Sequence, residues 1–150
     1  MKIECHKIRE DVLSPVRANP SDAGLDVFFC PEDGQSVRLM PGDSKLLGTG
    51  LKFGVPHGYM LEVKNRSSVA YKRSLVVGSC VIDSGYNGEV KINLHNIGNS
   101  GQVVEPGEKI AQLVMIPVVH FRVDFVEDKL YDQDITISAR DAGGFGSTGA

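Results

Sequence analysis

The chain has 150 residues, 41% apolar and 23% charged, with a formal charge of −3 at pH 7, which suits a single domain able to bury roughly 70% of its unfolded surface. That acidic balance leaves no global basic field to hold a polyanion through counterion release, so nucleic acid is excluded as a general partner and any phosphate site must be local. The N-terminal MKIECHKIRE interleaves charge with its apolar residues and no apolar run approaches the length of a membrane span, which excludes a signal-peptide core and makes a soluble, cytoplasmic protein with no membrane partner the expectation.

The first patterned stretch is DAGLDVFF, Asp22 to Phe29, where Gly24 precedes the alternation Leu25-Asp26-Val27 and reads as the start of an edge strand. Short apolar runs follow through most of the chain: SVRLM, SKLLGTGLKFGV, GYMLEVK, SLVVGSCVI, EVKINLHNI, QVVEPG, KIAQLVMIPVV and FRVDFV. Between them stand Pro41-Gly42-Asp43, Pro56-His57-Gly58, Asn87-Gly88, Asn99-Ser100-Gly101 and Pro106-Gly107, the residues that tight turns require. Short strands with explicit turns predict a sandwich or barrel-like β fold. Only RSSVAYKR, Arg66 to Arg73, reads as helix, a turn or two long, with Ser67 or Ser68 as its N-cap.

Within EVKINLHN, Val90, Ile92 and Leu94 alternate with Lys91, Asn93 and His95, which predicts one buried face and one wet face. IAQLVMIPVV is apolar almost throughout and predicts cover on both faces, in a sandwich interior or between chains, with Gln112 its one polar interruption. Cys5, Cys30 and Cys80 have unrelated spacings, so neither a disulfide framework nor a zinc site is expected, and each reads as a small buried or half-buried hydrophobe. The body is expected over residues 1–137, leaving 138–150 as a glycine-rich end that cannot pack a core of its own.

Five stretches carry more polar chemistry than packing demands. Besides DAGLDVFF, NRSSVAYK sets Arg66 before two hydroxyls at a helix start, either an anion site or an ordinary capped turn with a surface arginine. In GSCVIDSGYNGEV, Asp83 follows an apolar run and precedes a turn presenting Tyr86, either a turn former or a base beside a ring. Gln112 in PGEKIAQL must find partners, in the protein or in a ligand. The end RDAGGFGSTGA offers Arg140, the hydroxyls of Ser147 and Thr148 and glycine amides to a phosphate chain, and Phe145 to a ring, or else is a disordered terminus. Together they supply arginines and donors for phosphates, one carboxylate base and two aromatics, without a P-loop or dinucleotide fingerprint.

In order and wording, AGLD, RSS with Lys72, GSCVIDSGYNGEV, PGEKIAQL and RDAGGFGSTG resemble the five motifs of the trimeric dUTP diphosphatases (dUTPases), from Ala23 to Gly149. The resemblance implies an all-β, jelly-roll-like subunit with one short helix and a flexible C-terminal arm, in a homotrimer whose sites are shared between subunits. It implies hydrolysis of dUTP to dUMP and pyrophosphate with Mg2+, which limits uracil in DNA and supplies dUMP for thymidylate synthesis. By the same resemblance Asp83 activates the water that attacks the α-phosphorus, and Arg66, Ser67, Ser68 and Gln112 hold phosphate oxygens. Asp26 reaches the metal through water, with no direct protein ligand to it.

Tyr86 would lie against the deoxyribose, where a 2′-hydroxyl collides. Main-chain groups of the hairpin from Gly78 to Val90 would read uracil, with Gly78, Val81, Ile82 and Lys91 against the substrate, so that cytosine's amine mismatches and thymine's methyl clashes. The tail would close as a lid, Phe145 stacking on uracil while Arg140, Ser147 and Thr148 reach the γ-phosphate and Gly146 brings its backbone close. Some members of the family also bind regulatory proteins, and no inserted segment indicates that here.

Two positions depart from the family's wording: Cys80 stands where glycine is common and Gly85 where a second aspartate precedes the tyrosine. The related dCTP deaminases have similar RSS and IDSGYNG stretches. Their chemistry needs a glutamate where this chain has Asn93 and an arginine where it has Tyr71. An amide cannot shuttle protons as a carboxylate does, so the reading favours the diphosphatase.

Overall fold

The structure, a computed structural model, describes residues 1–127, 130, 131, 137, 138 and 142–144. Contacts divide the chain into two units, Met1–His120 and Phe121–Ala150. The first carries all the described secondary structure: β1 (Glu4–Lys7), β2 (Leu25–Phe28), β3 (Val37–Leu39), β4 (Ser44–Gly48), β5 (Leu51–Gly54), β6 (Tyr59–Lys64), α1 (Ser67–Arg73), β7 (Leu75–Val77), β8 (Val81–Ile82), β9 (Lys91–Asn96), β10 (Gln102–Val104) and β11 (Lys109–Pro117). The strands pair antiparallel, in the orders β2-β11-β6-β8, β4-β9-β7, β1-β5 and β10-β3. This is the expected all-β, jelly-roll-like architecture with one short helix.

One core holds the sheets together. Val27 of β2, Leu39 of β3, Leu47 of β4, Leu51 of β5, Ile92 of β9 and Val104 of β10 are each 0% exposed. The alternation in β9 is as expected, with Val90, Ile92 and Leu94 buried while Lys91 is exposed and Asn93 and His95 are half-buried. β11 is covered in its first half, at Ile110, Ala111 and Leu113, whereas Val114, Met115 and Ile116 are only half-buried and Pro117 is exposed. The two-face cover that its composition predicts is thus partial within one chain.

Several local expectations need correction. SLVVGSCVI forms two strands, because Leu75–Val77 pairs with β9 and Val81–Ile82 with β6. FRVDFV forms no strand: Phe121, Val123, Phe125 and Val126 are exposed by 82%, 65%, 98% and 64%. Its apolar alternation suits a strand, but alternation alone supplies no ladder partner. β1 escapes the apolar pattern because all four of its residues are exposed, and its backbone pairing with β5 makes it a strand. Cys5, on that strand, is exposed rather than packed away, although Cys30 is buried and Cys80 half-buried. Partial desolvation still pushes the Cys5 thiol above its ordinary value, with Lys7 pulling the other way.

Helix α1 starts at Ser67, so Arg66 is its N-cap (φ −88°, ψ 131°), with no side-chain capping bond among the described residues. Neither serine expected as the cap, Ser67 or Ser68, is the cap, and both are exposed within the first turn. A helix this short is marginal by itself. Val69 is buried from its middle, and Arg73 at its end bonds Gln102 Oε1 (3.1 Å), Glu108 Oε2 (2.5 Å) and the Val103 carbonyl (2.5 Å).

Candidate active site

The polar residues singled out from sequence fall into two groups. The first is built by the hairpin between β7 and β9. Gly78 N–H donates to the Asn93 carbonyl at 2.9 Å and ends the β7–β9 ladder, after which the Cys80 carbonyl accepts from Val63 N–H of β6 at 2.7 Å. The two arms of the hairpin therefore separate. Between them opens a cleft of about 250 Å³ with Ser79, Val81, Ile82, Asp83, Tyr86 and Lys91 on its walls.

At one end of this cleft the chain turns through Asp83-Ser84-Gly85-Tyr86, closed by Tyr86 N–H to the Asp83 carbonyl at 3.2 Å with Gly85 at φ 86°. That left-handed geometry explains a glycine at 85, where a side chain is strained. The Tyr86 hydroxyl donates to the Glu89 carbonyl at 3.0 Å, and the ring lies over Gly88, where a Cβ would fall closer than 3.0 Å to the phenol. Tyr86 is thus held against its own hairpin by its hydroxyl end. Asp83 is exposed at the mouth, and among the described residues its carboxylate has no hydrogen-bond or ion-pair partner. Lys91 reaches back to Glu89 at 3.9 Å.

The second group gathers on β2, β11 and the start of α1. Arg66 Nε donates to Asp26 Oδ1 at 2.8 Å, and Arg66 Nη1 lies 3.4 Å from Ser68 Oγ. Asp26 faces Gln112 across the β2–β11 ladder, and Gln112 Nε2 donates to the Asn65 carbonyl at 2.9 Å. A Cβ on Gly24 would fall closer than 3.0 Å to Gln112 Oε1, so any side chain there displaces the amide. Lys109, absent from the sequence reading as a site residue, pairs with Asp26 Oδ2 at 3.1 Å. Ser79 and Glu89 on the cleft also went unread, since nothing in their spacing marks them.

The two groups are ordered along β6. Gln112 stands opposite Lys64 and Ile82 opposite Leu61 on its other side, so the two are offset by three residues along β6, about 10 Å along the strand axis alone. Asn65 Oδ1 accepts from Val77 N–H at 2.8 Å. Asp26, Arg66 and Gln112 therefore adjoin the Gly78 end of their own chain's cleft, and Asp83 is at the other end. Arg140, Phe145, Gly146, Ser147 and Thr148 lie outside the described residues.

Among the described residues no three His, Cys, Asp or Glu side chains converge as a metal cage, and each Asp26 oxygen already faces a cation. Asp26 is the carboxylate of this group that could meet magnesium through water, a hard oxygen donor of the kind that ion takes. No described helix is long and apolar enough to cross a membrane.

A family model described as dUTPase matches residues 10–149. Among curated proteins, the chain is 37% identical to the deoxyuridine 5'-triphosphate nucleotidohydrolase of Hydrogenobaculum sp. (strain Y04AAS1), covering 99% of each chain. It is 38% identical to the protein of that name from Serratia proteamaculans (strain 568), over 99% of this chain and 95% of the other. Among solved structures, it is similar to a mutant Staphylococcus bacteriophage 80alpha dUTPase with dUpNHpp, at a TM-score of 0.85 and 26% identity over 99% of both chains. It is also similar to a mutant dUTPase from phage phi11 of S. aureus described for its coordination of a structural Mg(II) ion, at a TM-score of 0.77 and 25% identity over 85% of this chain and 98% of that one.

Proposed function

This chain belongs to the dUTPase family, and on that premise we propose that it hydrolyses dUTP to dUMP and pyrophosphate with Asp83 as the base. The observation that carries the assignment of the base is the Asp83 carboxylate, unpartnered among the described residues, at the mouth of a cleft whose other wall is the ring of Tyr86. A water held by Asp83 is oriented for in-line attack on the α-phosphorus and gives its proton to the carboxylate. The bond from the α-phosphorus to its bridging oxygen breaks, and pyrophosphate leaves. Magnesium, brought with the nucleotide and met by Asp26 through water, would supply charge neutralisation to the phosphates.

In this reading the base lies between the separated arms of the hairpin. The backbone of Gly78 to Ile82 faces it, and Lys91 borders it on the β9 side. A main-chain pattern that fits uracil leaves donors unpaired against cytosine, which is a strong basis for rejection. Tyr86, held against Gly88, fills the space that a 2′-hydroxyl needs.

A nucleotide placed with its base toward Gly78 and its α-phosphate at Asp83 points its outer phosphates away from its own chain's Arg66, Ser67, Ser68 and Gln112. That order supports a homotrimer in which a neighbouring copy brings those four residues to the phosphates, with Asp26 behind them. Exposed apolar surface supports the same arrangement, at Leu46 (65%), Val81 (53%), Ile97 (68%) and the alternation from Val119 (85%) through Phe121 (82%) to Phe125 (98%). Arg140, Phe145, Gly146, Ser147 and Thr148 complete the proposal as a lid on the uracil ring and γ-phosphate.

Pyrophosphate release measured over dUTP, dCTP, dTTP and UTP, with and without magnesium, tests the assignment. Turnover of dUTP with magnesium, at least about a hundredfold faster than of the other three, is expected. Ammonia release from dCTP would overturn it.

A further inference from the structure

We propose that Lys109 is a further phosphate-binding residue, aimed at the outer phosphates of the nucleotide by a bulge in β11; this rests on the dUTP hydrolysis proposed above. Lys109 and Gln112 are three residues apart, and in a regular strand they face opposite sides. Here the β2 register steps from Phe28 opposite Lys109 to Val27 opposite Ala111 and Asp26 opposite Gln112. Ile110 and Ala111 together occupy the space of one partner residue, the count that defines a bulge. Both are buried, at 1% and 0% exposure. The extra residue brings Lys109 onto the face that carries Asp26, Phe28 and Gln112.

The consequence is electrostatic. Lys109 Nζ lies 3.1 Å from Asp26 Oδ2 and 5.9 Å above the Phe28 ring, while Arg66 Nε takes the other oxygen at 2.8 Å. Two cations on one carboxylate leave a positive charge in excess. The cationic side chains are 33% and 24% exposed against 14% for Asp26, so the carboxylate is the inner partner and the cations are the outer ones. An ammonium has three donors. Asp26 takes one, and the other two are available to oxygens of a polyanion that also meets Arg66, Ser67 and Ser68.

The test compares ligands with and without the outer phosphates. By calorimetry, Lys109→Met is expected to weaken binding of dUpNHpp with magnesium, and of inorganic pyrophosphate, by on the order of tenfold, leaving dUMP binding unchanged. Lys109→Arg should restore dUpNHpp binding. Repeating Lys109→Met in an Asp26→Asn background separates direct contact from action through Asp26, and a similar loss is expected there. Unchanged dUpNHpp binding, equal weakening of dUMP, or disappearance of the effect without the Asp26 charge would each overturn the proposal. In each case wild-type dUTP turnover still reports separately on the function itself.

Discussion

Replacing Gly88 with alanine places a Cβ closer than 3.0 Å to the hydroxyl, Cζ and Cε2 of Tyr86. All three atoms belong to one rigid ring, so the phenol must retreat as a unit by roughly 1 Å to regain ordinary contact at 3.5–4.0 Å. Doing so gives up the bond from its hydroxyl to the Glu89 carbonyl, now 3.0 Å, worth about 1 kcal/mol. Gly88 has no positive φ, so the substitution perturbs the ring and not the backbone. A displacement of that size costs roughly a hundredfold where a group positions substrate. Gly88→Ala is therefore expected to lower kcat/KM for dUTP by about tenfold to a hundredfold while that for UTP falls less or rises. Selectivity between the two sugars should narrow. Pyrophosphate release from dUTP and UTP in parallel measures it, with a thermal melt to establish that Tm is unchanged on this exposed hairpin. Undiminished selectivity at wild-type dUTP turnover would refute the placing of Tyr86 against the sugar.

Further outcomes follow from single contacts. Asp83→Asn keeps the turn through its backbone carbonyl but cannot take the proton, so kcat should fall by about 10²–10⁴ with dUpNHpp binding retained, read by steady-state kinetics and calorimetry. Gly24→Ala drives its Cβ onto Gln112 Oε1 and should weaken dUpNHpp several-fold while leaving dUMP unaffected. Ile92→Ala empties a fully buried site at the centre of β9 and should cost about 2–5 kcal/mol in urea unfolding. The Cys5 thiol is raised by desolvation, so at a given pH near 8 less of it is thiolate. Iodoacetamide should therefore alkylate Cys5 more slowly in the native protein than in urea, a difference that shrinks as pH rises through the folded value.

The motifs were readable because they are local. Asp83 and Tyr86 straddle one turn, and Arg66, Ser67 and Ser68 are consecutive, so their order along the chain carries the chemistry before any folding is known. The alternation of Val90, Ile92 and Leu94 likewise states which face of β9 is buried. Lys109 was not readable, because a regular strand would turn it away from Gln112, and only the register with β2 reveals the extra residue between them. The serine cap of α1 failed for a related reason: a helix start depends on where β6 releases the chain, which places Arg66 and not Ser67 at the boundary.

The order of short apolar runs and turns determined an all-β chain with one helical turn or two, since residue periodicity reports directly on which side chains leave water. Identical periodicity in FRVDFV produced no strand, because a strand also needs a neighbour, and the neighbour is chosen by the rest of the chain. Only tertiary structure decided that SLVVGSCVI splits its pairing between β9 and β6 and so opens a cleft. It alone set Asp26, Arg66 and Gln112 beside the Gly78 end of that cleft, away from Asp83. Backbone hydrogen bonds between distant segments set register and spacing, and neither is encoded in the pattern of any one segment.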